Sequence, residues 1–191
     1  MYFKIQKLAD FNPDLAVKLK NYCYDITGCC QIVHNDMGPF LNEYMYQDAL
    51  EIAFQEKNIL AVREFYFSVE FHGQRINHKH HVDFLVKDNM IIECKAVAAL
   101  GPEHHQQLWN YMRLTKVQIG ILYNFAPIKD QSERYYLDFE QNVMYVFYPK
   151  SDIRLCSFFR LLLSVFIKEA GRVFRRKASG FCPWRNVVSP R

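Results

Sequence analysis

The chain has 191 residues, of which half are hydrophobic, 16% are aromatic and 23% are charged. This length and composition favour one globular domain with at most an appendage, and they argue against a disordered, collagen-like or coiled-coil protein. No run approaches the roughly 18 to 20 apolar residues that a membrane-spanning helix needs, and the N-terminus lacks the residue order of a signal peptide. The sequence therefore predicts a cytoplasmic protein without integral membrane association.

The net charge of +4 is unevenly distributed along the chain. Residues 1–150 hold 15 Lys and Arg against 18 Asp and Glu, whereas residues 151–191 hold nine against two. We predict a domain over 1–150, an amphipathic helix over 151–170 and a flexible basic tail over 171–191. Such a tail is usually only solvated, and contact with nucleic acid is the alternative. The tail residues that would make this contact are Arg172, Arg175, Arg176 and Lys177.

Hydrophobic periodicity predicts the elements of the first 150 residues. Helical spacing predicts helices over 14–35, about 40–56 and 103–115. Alternating or continuous apolar residues predict strands over 63–71, 81–87, 90–97 and 117–125, and a hairpin or pair of short strands over 135–148. This order of elements predicts a mixed α/β or α+β domain.

The helix predicted near the C-terminus carries a clean apolar stripe at i, i+3, i+4 spacing between Leu155 and Phe166. The plainest interpretation is a helix that covers the core of its own domain. A partner-binding or dimerising helix and a helix that lies on a membrane surface are the alternatives. A homodimer formed through residues 153–168 therefore remains open.

Two predicted strands carry the most informative charges. Because side chains alternate along a strand, Glu93 and Lys95 point to one face and Cys94 to the other. A three-residue loop over 88–90 would place Asp83 opposite Lys95 and diagonal to Glu93, so that all three side chains converge. Charged groups on an apolar strand are costly to bury without compensation.

Two carboxylates beside a lysine suit a hard divalent cation such as Mg²⁺ or Mn²⁺. Asp83, Glu93 and the main-chain carbonyl of Cys94 would hold the ion. Lys95 would orient the attacking water or neutralise charge on a phosphate. The alternative is a partly buried salt bridge within the sheet, and spacing alone does not decide between the two.

Two polar pairs lie at helical spacing elsewhere in the chain. Glu43 and Tyr46 are three residues apart, and Gln107 and Tyr111 are four apart, so each pair shares a helix face. Taken alone, each pair reads as an ordinary amphipathic surface.

The ordered series of these motifs resembles a known family. Asp83 followed by Glu93-Cys94-Lys95 resembles the signature of the PD-(D/E)xK nuclease superfamily, and the segment 107–111 resembles the QxxxY motif of its RecB-type branch. With the segments 34–50 (HNDMGPFLNEYMYQDAL) and 120–125 (GILYNF), the chain is similar to the bacterial GxxExxY protein family over about residues 20–148. The family's eponymous glycine falls at Phe40, which lacks the backbone freedom of glycine.

The resemblance implies a restriction-endonuclease-like fold and a Mg²⁺- or Mn²⁺-dependent nuclease. It implies Glu43, Asp83 and Glu93 as the acidic, metal-binding site and Lys95 as the catalytic lysine. Gln107 and Tyr111 would support the site or contact the nucleic-acid strand, for which DNA is the expected substrate. Two further residues match the family: Tyr46, without an assigned role, and His34, which we interpret as structural.

Other classes of protein are weaker alternatives. Clustered histidines (His78, His80 and His81, with His104 and His105) raise the question of zinc, but their spacing matches no recurring zinc site. No nucleophile elbow or phosphate-binding glycine loop is present in the sequence, and six cysteines without a CxxC pair predict reduced thiols. The main rival is a non-enzymatic module with a nuclease-like fold that binds nucleic acid or a protein partner.

Overall fold

A computed structural model of the chain describes residues 4–129 and 131–147. In chain order the elements are β1 (Lys4–Lys7), α1 (Leu8–Phe11), α2 (Pro13–Tyr22), α3 (Tyr24–Met37), α4 (Glu43–Glu56), β2 (Ala61–Phe67), β3 (Glu70–Phe71), β4 (Gln74–Arg75), β5 (His80–Val86), β6 (Met90–Lys95), α5 (Pro102–Thr115), β7 (Ile119–Asn124), β8 (Gln131–Asp138) and β9 (Val143–Val146). The helix predicted over 151–170 and the basic tail lie outside the described residues.

Seven strands form one mixed sheet in the order β1-β9-β8-β7-β6-β5-β2. The β1–β9 and β6–β7 pairs are parallel and the other pairs are antiparallel. One face of the sheet forms a core with helices α1 to α4, and the other face forms a second core with α5. The predicted mixed α/β class, with a central sheet flanked by helices, is confirmed.

The strands at the centre of the sheet are buried on both faces. Every residue of β6 and of β7 is buried, which is typical of strands covered by helices on both sides. Helix α5 packs closely on β7 at Gly120, where an added Cβ would lie 2.5 Å from Met112 Sδ. The absence of a side chain at Gly120 therefore allows α5 to approach the sheet.

Several predicted boundaries differ from the structure. The helix predicted over 14–35 is two helices, separated at Cys23, and β1 and α1 precede them without having been predicted. The strand predicted over 63–71 ends at Phe67, and Phe71 lies in the separate β3–β4 hairpin. His72 and Gly73 turn this hairpin with φ of 52° and 74°, the backbone conformation of a two-residue type I′ turn.

The helices and the cysteines of the described residues bear on two expectations for the chain. Among the helices of this part of the chain, none has the length and apolar character needed to cross a membrane. The four cysteines of this part are buried thiols, which agrees with the prediction for these positions: Cys23, Cys29, Cys30 and Cys94.

Candidate active site

The two predicted acids of the sheet lie directly across from each other on β5 and β6. The strand register pairs Phe84 with Ile92 and Val86 with Met90, and its next position places Asp83 opposite Glu93. The shared face and the three-residue length of the loop are confirmed, but the loop covers residues 87–89 and not 88–90. The predicted pairing of Asp83 with Lys95 is wrong, because the loop starts one residue earlier, with Lys87 and Asp88 both at positive φ.

Where the backbone pairing of β5 with β6 ends, the Asp83 carboxylate accepts a hydrogen bond from β6 in the place of a backbone carbonyl. The Cys94 N–H donates to Asp83 Oδ2 over 2.7 Å. Within a strand, the N–H and C=O of one residue point toward the same neighbouring strand. The Cys94 carbonyl therefore faces the same gap as the Asp83 carboxylate, while the Cys94 side chain is buried in the core on the other face of the sheet.

Glu93 is the most deeply buried carboxylate of the site, with 1% of its surface exposed. One of its oxygens, Oε2, accepts from Lys95 Nζ at 3.3 Å, and the other, Oε1, is buried without a hydrogen-bond partner. Burial and the charge of Asp83 raise the pKa of Glu93 to about 8. An orphaned carboxylate oxygen at this depth is costly unless a further ligand satisfies it.

Three carboxylates hold Lys95 in its charged form. Burial opposes the charge of the ammonium group, but Glu93, Asp83 and Glu43 together raise the pKa of Lys95 above its usual value. Burial likewise raises the pKa of Asp83 and of Glu43, and the charge of Lys95 offsets part of each increase. The four side chains thus form one electrostatic unit, and the structure brings together all four residues that the resemblance assigned to the centre.

Glu43 enters this unit from the first turn of α4. The Asn42 side chain caps the helix by accepting from the Met45 N–H at 3.0 Å, which fixes where α4 begins. From this turn, Glu43 Oε1 comes within 3.9 Å of Lys95 Nζ. The structure therefore shows Glu43 as a partner of the lysine, and its assignment as a metal ligand stays a prediction.

Tyr46 and His34 hold the backbone around the site. The buried Tyr46 donates to the Gly38 carbonyl at 2.7 Å, accepts from the Leu41 N–H at 3.2 Å and stacks on Phe125. His34 Nε2 donates to the Pro127 carbonyl at 2.8 Å. Tyr46 thus stabilises the turn before α4, the helix that carries Glu43. The contact of His34 agrees with the prediction that this residue is structural.

Phe40 occupies the position where the resembled family has its glycine, and its backbone has φ of +71°. This is the left-handed region, which costs a residue with a Cβ roughly 1–2 kcal/mol, and the Phe40 side chain is 79% exposed.

We expect Phe40→Gly to raise the free energy of unfolding by up to about 1 kcal/mol, because the relieved strain exceeds the extra chain entropy of glycine. Urea denaturation measures the change. Phe40→Ala keeps the Cβ and is the control; equal stability of the two variants would contradict this account.

Gln107 and Tyr111 contact each other on α5, with Gln107 Nε2 donating to Tyr111 Oη at 3.3 Å. The Tyr111 ring lies 5.5 Å from Phe67 and 6.5 Å from His80, measured between ring centroids. The pair is thereby joined to the ends of β2 and β5. The four predicted tail contacts lie outside the described residues: Arg172, Arg175, Arg176 and Lys177.

Asn124 and Glu64 are two residues of the site region that the sequence analysis missed. Asn124 is fully buried at the end of β7, opposite Lys95, and it bonds both the N–H and the carbonyl of Val97. It therefore anchors the chain just after the lysine. Glu64 lies opposite Asp83 in the β2–β5 register, with φ of 48°, and its charge raises the pKa of Asp83. Only the position of Asn124 near the end of the strand predicted over 117–125 was readable from sequence.

The side chains of the site offer oxygen ligands and no set of ligands typical of zinc. In residues 4–129 and 131–147, no group of three or more His, Cys, Asp or Glu side chains is arranged to hold a metal. His104 Nδ1 instead accepts from the Gly101 N–H. The facing carboxylates of Asp83 and Glu93, the latter with its unpartnered Oε1, together with the Cys94 carbonyl fit a hard divalent cation that retains several waters.

Comparison with known proteins gives the class. The model of the PD-(D/E)XK nuclease superfamily matches residues 20–135, and the chain belongs to this superfamily. Nucleases of the superfamily generally use divalent metal ions. No curated protein matches the chain.

Solved structures resemble the chain only distantly. The protein SSO0001 is 22% identical, with a TM-score of 0.40 over 53% of this chain and 54% of its own. An alkaline exonuclease from Laribacter hongkongensis is 16% identical, with a TM-score of 0.32 over 68% of each chain. The chain thus spans about half the length of the first of these structures.

Proposed function

We propose that this protein is a divalent-metal-dependent nuclease that hydrolyses phosphodiester bonds in DNA, and that it belongs to the GxxExxY family within the RecB-type branch. The observation that carries the proposal is the buried Glu93, which faces Asp83, keeps one oxygen without a partner and lies beside a charged lysine. A purely structural ion pair has no use for a second buried carboxylate, because each additional acid raises the cost of desolvation.

The proposed roles follow from the positions of the side chains. Asp83, Glu93 and the Cys94 carbonyl would hold a Mg²⁺ or Mn²⁺ ion, which when bound would act as a Lewis acid and lower the pKa of a bound water. Lys95 Nζ lies 3.3 Å from Glu93 Oε2, and its ammonium group would orient the attacking water and stabilise negative charge on the phosphate. Glu43 keeps Lys95 charged and in place.

Gln107 and Tyr111 are proposed to support the nucleic-acid strand beside the acids. We also propose that the basic tail contacts nucleic acid, that the chain dimerises through residues 153–168 and that the protein is cytoplasmic.

The test is cleavage of labelled single- and double-stranded DNA and RNA by the full chain in Mg²⁺, Mn²⁺ or EDTA. We expect DNA to be cut with either metal and to stay intact in EDTA, because the two carboxylates need the ion to bring a phosphate close. Calorimetry with Mn²⁺ should show binding that Glu93→Gln abolishes. If no substrate is cut and Mn²⁺ binding does not depend on Glu93, the alternative of a non-enzymatic module that binds nucleic acid or a protein partner replaces this proposal.

A further inference from the structure

A cleft of about 400 Å³ lies where the ends of β2 and β5 meet the β3–β4 hairpin. Its lining combines three aromatic rings, a hydroxyl group and two cations, and we call it the aromatic cleft. The lining residues are Phe65, Tyr66, Phe67, Ser68, Arg75 and Lys79. None of them has a role in the proposed chemistry at the acids.

The aromatic cleft borders β5, the strand that carries Asp83. Tyr66 pairs with His81 across the two strands, and their ring centroids are 5.4 Å apart. His81 precedes Asp83 by two residues, which is about 6.6 Å along a strand. On the other side, Phe67 stacks on His80 and meets the edge of Tyr111. Because side chains alternate along a strand, Tyr66 and His81 lie on one face, near Asp83, and Phe67 and His80 lie on the other, beside the QxxxY pair.

The exposed surface of the cleft suits unpaired nucleotides. Tyr66 is 59% exposed, so its ring can stack on a base, while Arg75 and Lys79 supply positive charge for the phosphates. Aromatic platforms combined with cations are how proteins bind single strands without regard to sequence. In a duplex, the base faces are already covered by their neighbours in the stack, and such rings would gain little.

We infer that the aromatic cleft binds single-stranded DNA and directs it to the acidic site. The inference rests on the proposed nuclease function for the choice of DNA. According to this inference, the nucleic acid that reaches the acidic site is a single strand and not a duplex.

Anisotropy titration of the full chain with labelled oligothymidylate in EDTA tests this inference without cleavage. We expect Tyr66→Leu, which keeps an apolar residue suited to a strand but removes the ring, to weaken binding roughly 5- to 150-fold. Substituting both Arg75 and Lys79 by glutamine should reduce the slope of log affinity against log salt by about 1.4. Tyr24→Leu, an exposed tyrosine on α3, is the matched control and should bind like the wild type.

The outcomes separate the inference from the proposed function. Wild-type-like affinity of Tyr66→Leu, or duplex DNA or single-stranded RNA binding as tightly as the oligothymidylate, would overturn the single-stranded DNA assignment even if the wild type cuts DNA in Mg²⁺. Ring-dependent binding of the oligothymidylate by a protein that cuts nothing would keep the aromatic cleft as a site for single-stranded DNA and remove both the nuclease and the delivery of the strand to the acids. Binding that depends on Tyr66, with cleavage of the same strand in Mg²⁺, is the result we expect.

Discussion

Substituting Lys95 by methionine, or Glu93 by glutamine, should lower the rate of DNA cleavage by at least about 100- to 1,000-fold, the usual effect of removing one preorganised charge from a reacting centre. Glu93→Gln removes the charge of a carboxylate that faces Asp83, and Lys95→Met removes the ammonium group that lies 3.3 Å from Glu93. Single-turnover cleavage of a labelled DNA strand in Mg²⁺ measures both changes.

Folding controls are essential for these variants, because both groups are buried. Lys95→Met leaves the acids without their cation, which costs roughly 3–5 kcal/mol for a broken buried pair. The double variant Glu93→Gln/Lys95→Met removes both charges of the pair and should recover much of this stability while staying inactive. Lys18→Met, on the exposed face of α2, is the matched control. A folded Glu93→Gln or double variant that cuts within about tenfold of the wild type would refute the assigned roles.

In the absence of divalent metal, the wild-type protein should become less stable as the pH rises from about 4.5 to about 8. The pKa of Glu93 is raised from 4.5 to about 8 in the folded state, so the folded protein binds more protons than the unfolded chain within this window. The free energy of unfolding therefore falls with pH there and levels off above pH 8. The loss that this carboxylate causes is roughly 2–5 kcal/mol.

Urea denaturation of the wild type and of Glu93→Gln at several pH values in EDTA isolates the contribution of this carboxylate. The variant should show a flatter profile and should exceed the wild type in stability above pH 7. Adding Mn²⁺ should stabilise the wild type more at pH 8 than at pH 6, because metal binds the deprotonated acids. Glu140→Gln, in the turn before β9, is the carboxylate control. Parallel profiles for wild type and Glu93→Gln would show that Glu93 ionises normally.

Local periodicity was enough to predict the shared face of Glu93 and Lys95, because side chains alternate with a period of two in any strand. Placing Asp83 on the same face required in addition the three-residue length of the loop between the strands. The register of pairing between β5 and β6 could not be predicted in this way. The left-handed conformations of Lys87 and Asp88 shifted the loop by one residue, and their residue types do not distinguish the two loops.

The boundaries that were wrong share a physical cause. The chain breaks between α2 and α3 at Cys23, a fully buried residue with no glycine or proline beside it, so the local sequence carries no stop signal. Phe40 adopts a conformation that its residue type disfavours, and Tyr46 secures the backbone on either side of it. At Phe40, tertiary packing imposes a conformation that the residue type disfavours. At Cys23, it ends a helix where the local sequence has no preference for an end.

The sequence by itself determined the mixed α/β class, the shared face of the acids and the lysine, and the superfamily to which the chain belongs, since these follow from periodicity and from the order of motifs. Only the tertiary structure decided that Glu43 reaches Lys95 from another element, that Asn124 anchors the chain after the lysine and that Glu93 keeps an unpartnered oxygen. Burial, pKa and hydrogen bonding depend on neighbours that are distant in the chain, and the packing of α4, α5 and the sheet determines those neighbours.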